Sequence, residues 1–134
     1  MRSNKDVESY LLRMEKVWHE ADSSTYVVQL DGAPLALKCA LPLVLARVEI
    51  GEAPKQGRDK LFEHLLKLNA TSLVHSAYGL DGETITLSAA LEMENLDYNE
   101  LEAVIAEFDL ALGQQLGKIR ELAGQTTAAP KPRA

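Results

Sequence analysis

At 134 residues, with 46% hydrophobic and 25% charged residues, the chain has the size and composition of one globular domain with a sizeable core. No apolar run approaches the roughly 18 residues that a bilayer-spanning helix needs, which argues against a membrane partner. The net charge of −6 is uneven: nine acidic residues and no Lys or Arg fall between Asp81 and Gly117, a surface that repels phosphate backbones and argues against nucleic acid.

The chain opens with MRSNKDVESYLLRMEK, charged throughout and without the apolar stretch of a signal peptide, so a cytoplasmic protein is expected. Ser3 followed by Asp6 reads as a capping box that starts a helix. Val7, Tyr10, Leu11, Met14, Val17 and Trp18 then mark one face of a 3.6-residue period, and short polar residues at 21–24 end the helix. Thr25 to Leu30 (TYVVQL) is β-branched and aromatic and predicts a strand, which Asp31-Gly32 turns back on residues 35–40. Pro42, unable to donate to a ladder, marks a bend before a third strand over residues 43–50.

GEAPKQG at 51–57 predicts a loop, and Leu61, Phe62, Leu65, Leu66 and Leu68 the apolar stripe of a second helix ending near Asn69. A fourth strand is expected over residues 74–80, closed by Asp81-Gly82. The fifth alternates most clearly, with Ile85, Leu87, Ala89, Leu91 and Met93 on one side. Asp97 with Glu100 caps a long last helix whose stripe runs Leu101, Val104, Ile105, Phe108, Leu112, Leu116, Ile119, Leu122. Two hairpins and no alternating βαβ run give an α+β fold, an antiparallel sheet with helices packed on it in the order α-β-β-β-α-β-β-α. Residues 1–123 form the single domain, and 124–134 (GQTTAAPKPRA), lacking an apolar anchor, a flexible C-terminal tail.

Signatures of chemistry are missing: no phosphate-cradling glycine loop, no GxSxG, no HExxH and no CxxC pair. His19, His64 and His75 have no partners at metal-ligand spacing, Cys39 sits in an apolar run, and Glu92 with Glu94 continues a solvated strand face. No enzyme, cofactor or metal site is therefore expected. The apolar surplus is more informative. Along LALKCALPLVLARVEI both strand faces carry hydrophobes, so the second face calls for a cover: the last helix, a second copy, or a bound peptide.

The stretch LFEHLLKLNATSLVHSAYGLDGETITLSAALEMENLDYNELEAVIAEFDLAL resembles the type III secretion chaperone superfamily, in its CesT and YbjN-like families. The helix ending LLKLN, the hairpin strand AYGLDG and the strand TITLSAALEMENLD carry the likeness, which spans residues 3–122. The resemblance implies a homodimer, without cofactor or turnover, that holds an extended segment of a client protein in hydrophobic grooves by side-chain pockets and strand addition. Groove residues so implied are Leu11, Met14, Trp18, Tyr26, Val28, Leu37, Val44, Ala46 and Val48, with Trp18 the leading anchor. The implied dimer interface comprises Leu61, Leu65, Leu68, Leu87, Ala89 and Leu91. The segment YGLDGETITLSAALEMENLD is closer to the YbjN-like branch, which implies the alternative of a regulatory adaptor binding a folded partner in a stress or transcription response.

Overall fold

The computed structural model describes residues 3–124. Its elements are α1 (Asn4–Met14), β1 (Trp18–Asp22), β2 (Thr25–Leu30), β3 (Ala33–Ala40), β4 (Leu43–Glu52), α2 (Arg58–Thr71), β5 (Ala77–Asp81), β6 (Thr84–Glu92) and α3 (Tyr98–Leu122). The expected α+β order is present, with one short edge strand added, β1. The helical period that runs through Trp18 does not produce helix beyond Met14. Glu15 turns into the left-handed region (φ 60°), its N–H donating to the Leu12 carbonyl, and the chain reverses. Trp18 then pairs with Val28 as strand, so its apolar character serves a sheet rather than a fourth helical turn.

All six strands form one antiparallel sheet in the order β1-β2-β3-β4-β6-β5. The first four are a meander. β4 and β5 consequently run in the same direction, joined by α2, with β6 slotted between them. Gly32 (φ 97°) and Gly82 (φ 60°) supply the positive angles in the β2–β3 and β5–β6 turns. Pro42 lies within the β3–β4 turn, after a cis Leu41–Pro42 bond, so the expected bend is a hairpin.

Both expected capping boxes are formed. The Ser3 N–H donates to the Asp6 carboxylate at 2.8 Å, and Asp97 and Glu100 exchange side-chain-to-backbone bonds at 2.8 and 3.0 Å. The helices roof one face of the sheet. Tyr26 donates from that face to Glu8 of α1 at 2.7 Å, and Tyr78, on the same face, to Gln115 of α3 at 2.6 Å. Beneath them lies one continuous core built by Leu11, Val28, Leu37, Val44, Val48, Leu61, Leu87, Phe108 and Ile119, all fully buried. At the far end of α3, a Cβ on Gly32 would come within 3.3 Å of Leu116, so the β2–β3 turn and α3 touch closely.

The chain's own helices do not cover the second face of the sheet. Val27, Ala36, Ala40 and Arg47 are half-buried there, and Lys38, Leu45, Glu49, Ser88 and Ala90 are exposed. Of the expected tail, Gly124 ends the described chain with φ 78°, and residues 125–134 lie outside the described residues.

Candidate functional site

The exposed apolar surface gathers in three places. The first is a trough between α2 and the edge strand β5. Successive turns of α2 present Phe62, Leu66 and Asn69 toward the outer rim of β5, where Tyr78, Gly79 and Leu80 complete a hollow of about 260 Å³. Leu66 is 67% and Leu80 45% exposed. Asn69 makes the floor continuous. Its carboxamide accepts from the Tyr78 N–H at 2.8 Å and donates to the Tyr78 carbonyl at 3.1 Å, standing in for a neighbouring strand.

The second is a groove of about 480 Å³ between α1 and α3, lined by Met14, Ile105, Ala106 and Leu110 with Lys16, Glu102 and Asp109 on its rim. Lys16 and Asp109 form an ion pair at 2.5 Å across it, and Leu12 nearby in sequence is 67% exposed. Trp18, half-buried at the start of the edge strand β1, stands edge-on to Tyr26 with ring centroids 5.7 Å apart. Burial, then the hydrogen bond from its hydroxyl to Glu8, pushes the Tyr26 phenol well above its ordinary value; burial alone does the same for Tyr78.

The third is a hollow on the open sheet face bounded by Leu45, Arg47, Ser88 and Ala90 on one side and residues 74–77 on the other. Val74, at its lip, is 84% exposed. Arg47 crosses this face to reach Asp81 at 2.8 Å and Glu49 at 3.3 Å.

The residues expected in a client groove divide sharply. Met14 and Trp18 are half-buried at the rim, where a partner can touch them. Leu11, Tyr26, Val28, Leu37, Val44, Ala46 and Val48 lie beneath the helices at no more than 1% exposure, so they build the core and offer no groove surface in this arrangement. The reason is facing: the six strand residues share the sheet face that α1 and α3 roof, and Leu11 is on the side of α1 turned toward it. Among the residues expected at a dimer seam, Leu61 and Leu87 are also fully buried, and Leu65 nearly so at 6%. Leu68, Ala89 and Leu91 are half-buried. Sequence reasoning placed Phe62 and Leu66 in the α2 stripe but missed that they form its exposed flank. The signal was the stripe's width, with adjacent leucines at 65 and 66 that one helical face cannot both bury.

Chemistry-bearing residues are scattered. His19 and His75 are exposed, His64 half-buried, and Glu92 and Glu94 exposed at the end of β6. Among the described residues no three His, Cys, Asp or Glu converge as a metal site. Burial, then the nearby Glu8 charge, raises the Cys39 thiol above its usual range.

An antiparallel sheet roofed on one side, with half-exposed aromatic and aliphatic side chains along its helix grooves and edges, is the type III secretion chaperone-like architecture. The chain belongs to the CesT_Tir_1 family, whose model matches residues 1–125. Among curated proteins no sequence matches it.

Solved structures give the same fold. A chain of the heterodimeric ExoU–SpcU complex, from the type III secretion system of Pseudomonas aeruginosa, superposes with a TM-score of 0.69 at 17% identity, covering 87% of this chain and 97% of that one. YbjN of E. coli, described as a candidate transcription regulator, gives 0.67 at 14% identity over 89% and 93%. A chain of the HopA1–SchA chaperone–effector complex gives 0.62 at 16% identity over 88% and 92%.

Proposed function

We propose that this chain is a cytoplasmic, dimeric, non-enzymatic binding module that holds an extended segment of a client protein. The observation that carries the reading is the α2–β5 trough together with the α1–α3 groove: two separate apolar hollows on one small domain, with Leu66 of the first 67% and Leu110 of the second 59% exposed. Single exposed hydrophobes are ordinary, but side chains grouped in concave surfaces mark contact sites. Family membership supports a chaperone role, and the ExoU–SpcU and HopA1–SchA complexes are structural relatives.

In this reading the dimer forms across the trough, through Phe62, Leu66 and Leu80 with Leu65 and Leu68 behind them. Ala89 and Leu91 lie further along β6, past the start of β5, and would join the seam only at its margin. The client lies along the α1–α3 groove and the edge of β1, anchored at Met14 and Trp18. A strand laid on β1 would satisfy that edge's free backbone groups while its side chains filled the apolar hollows. The fully buried residues 11, 26, 28, 37, 44, 46 and 48 stiffen the floor from below.

Native mass spectrometry on protein gently purified from its own cells tests this. A dimer carrying a polypeptide supports the holding role and identifies the client. A bare monomer that stays monomeric at high concentration sinks it. The likeness to YbjN favours a second reading, an adaptor on a folded partner in a stress or transcription response. Competition by short unfolded peptides distinguishes a holder, and loss of binding on denaturing the partner distinguishes an adaptor.

A further inference from the structure

The two ends of the β5–β6 hairpin are unequal. β6 runs from Thr84 to Glu92, but β5 begins only at Ala77, opposite Ser88. Residues 89–92 therefore pair with β4 on one side and, among the described residues, with no strand on the other. The segment that could have continued β5 is at hand and has been turned aside. Glu107 of α3 accepts from the N–H groups of Val74 at 3.0 Å, His75 at 3.0 Å and Ser76 at 2.8 Å, and from the Ser76 hydroxyl at 2.5 Å. One carboxylate thus takes up three successive backbone donors, including that of His75, the one a longer β5 would offer to β6.

Three features show that this segment is suited to the sheet it avoids. Its composition is that of a strand, since the sequence alone places the start of β5 at residue 74. Its length fits: extending the Ala77–Ser88 register sets Ser76 opposite Ala89, His75 opposite Ala90, Val74 opposite Leu91 and Leu73 opposite Glu92, filling the bare edge. Its faces fit as well. Tyr78 and Ser76 both point to the buried side, so Val74 would follow them and lie beside half-buried Leu91 instead of standing 84% exposed.

We propose that residues 73–76 are a strap with two positions, held off the sheet by Glu107 in the state described and able to zip onto residues 89–92 of β6 when that clip is lost. In the clipped state the end of β6 is an open edge that can accept an extended chain. In the zipped state the protein fills that edge with itself. Glu107 thereby decides whether the edge is available, and this holds whichever client or partner the domain serves.

The test uses the full chain with Glu107→Ala and, as a second variant, Glu107→Gln, which keeps the side chain's shape and an amide oxygen. In each, His75→Cys and Ala90→Cys are introduced with Cys39→Ser, because directly opposed residues of an antiparallel pair lie within disulfide reach. Loss of the clip is expected to slow amide exchange over residues 89–92 by at least about tenfold and to speed oxidative cross-linking of the cysteine pair relative to the Glu107 parent. Glu107→Gln is expected to move both readouts the same way by less. Unchanged or faster exchange at residues 89–92, or cross-linking no quicker in either variant, overturns the proposal. If Glu107→Ala does not fold, the Glu107→Gln pair decides alone.

Discussion

Asn69 and Tyr78 grip each other through two hydrogen bonds, the Asn69 carboxamide reading both the N–H (2.8 Å) and the carbonyl (3.1 Å) of one residue on the outermost strand. A sheet edge normally leaves such groups to solvent or to an intruding chain. Here a helix side chain closes the edge at one point and fixes α2 against β5, and the apolar trough exists because of that fixture. Asn69→Ala should lower unfolding stability in urea by about 1–3 kcal/mol, because it leaves two partly buried backbone groups unpaired. Asn69→Asp, retaining only the acceptor, should fall between. Parent-like stability in both would show that α2 is held by its leucines alone.

Seam and core separate cleanly by substitution. Leu66→Glu should leave the urea midpoint within about 0.5 kcal/mol of the parent, since the side chain is largely exposed, yet shift sedimentation from dimer to monomer. Leu61→Ala, one turn away and fully buried, should cost about 2–5 kcal/mol. A Leu66→Glu protein that still sediments as the parent does would move the proposed dimer seam elsewhere.

Trp18 offers a ring that is only half-buried and is braced by Tyr26, the build of an anchor residue. Trp18→Ala should weaken capture of a client peptide at least tenfold, equivalent to about 1.4 kcal/mol, with a smaller loss for Trp18→Phe. Fluorescence titration with the peptide recovered from the native complex reads this directly. Equal affinity in all three proteins would place the client away from β1.

Glu107 carries a pH signature. Burial opposes its ionisation, but the Ser76 hydroxyl and the N–H groups of Val74, His75 and Ser76 outweigh it and hold the carboxyl below its usual 4.5. A carboxylate depressed in the folded state contributes stability that is complete above its unfolded value and is lost as pH falls through the folded one. Stability of the parent should therefore drop from about pH 4.5 downward more steeply than that of Glu107→Gln, measured by thermal melts across the acid range. Parallel acid limbs would mean the clip contributes nothing to folding.

Much of this architecture was legible in the residues, and the gaps have physical causes. Capping boxes at Ser3 and Asp97 and glycines after Asp31 and Asp81 are local devices, and each forms where its chemistry demands. Trp18 misled because position 18 continues a helical period as well as it starts a strand; only pairing with Val28, a long-range contact, decides between them. Val74 misled for the opposite reason. Its local preference is for strand, and a carboxylate 33 residues further along overrules it. The groove residues were implied by the resemblance and mapped onto apolar positions, and apolarity cannot tell a floor from a surface: Val44 and Leu45 are neighbours on one strand, the first fully buried and the second 38% exposed. Asn69 stood out in the LLKLN motif as a mark of resemblance, while its structural task required knowing that Tyr78 lies nine residues on at a sheet edge.

The close approach of Leu116 to Gly32 bears on how the protein is made. α1 and the meander of β1 to β4 are made before α3, yet much of the roof over that sheet, from Leu101 to Ile119, comes from α3. Until that helix emerges, Leu35, Leu37, Val44 and Val48 lack the α3 part of their roof, and the nascent sheet is a sticky half-domain. Folding of this domain is therefore expected to be completed in one step, when α3 has cleared the exit tunnel and can close over the sheet.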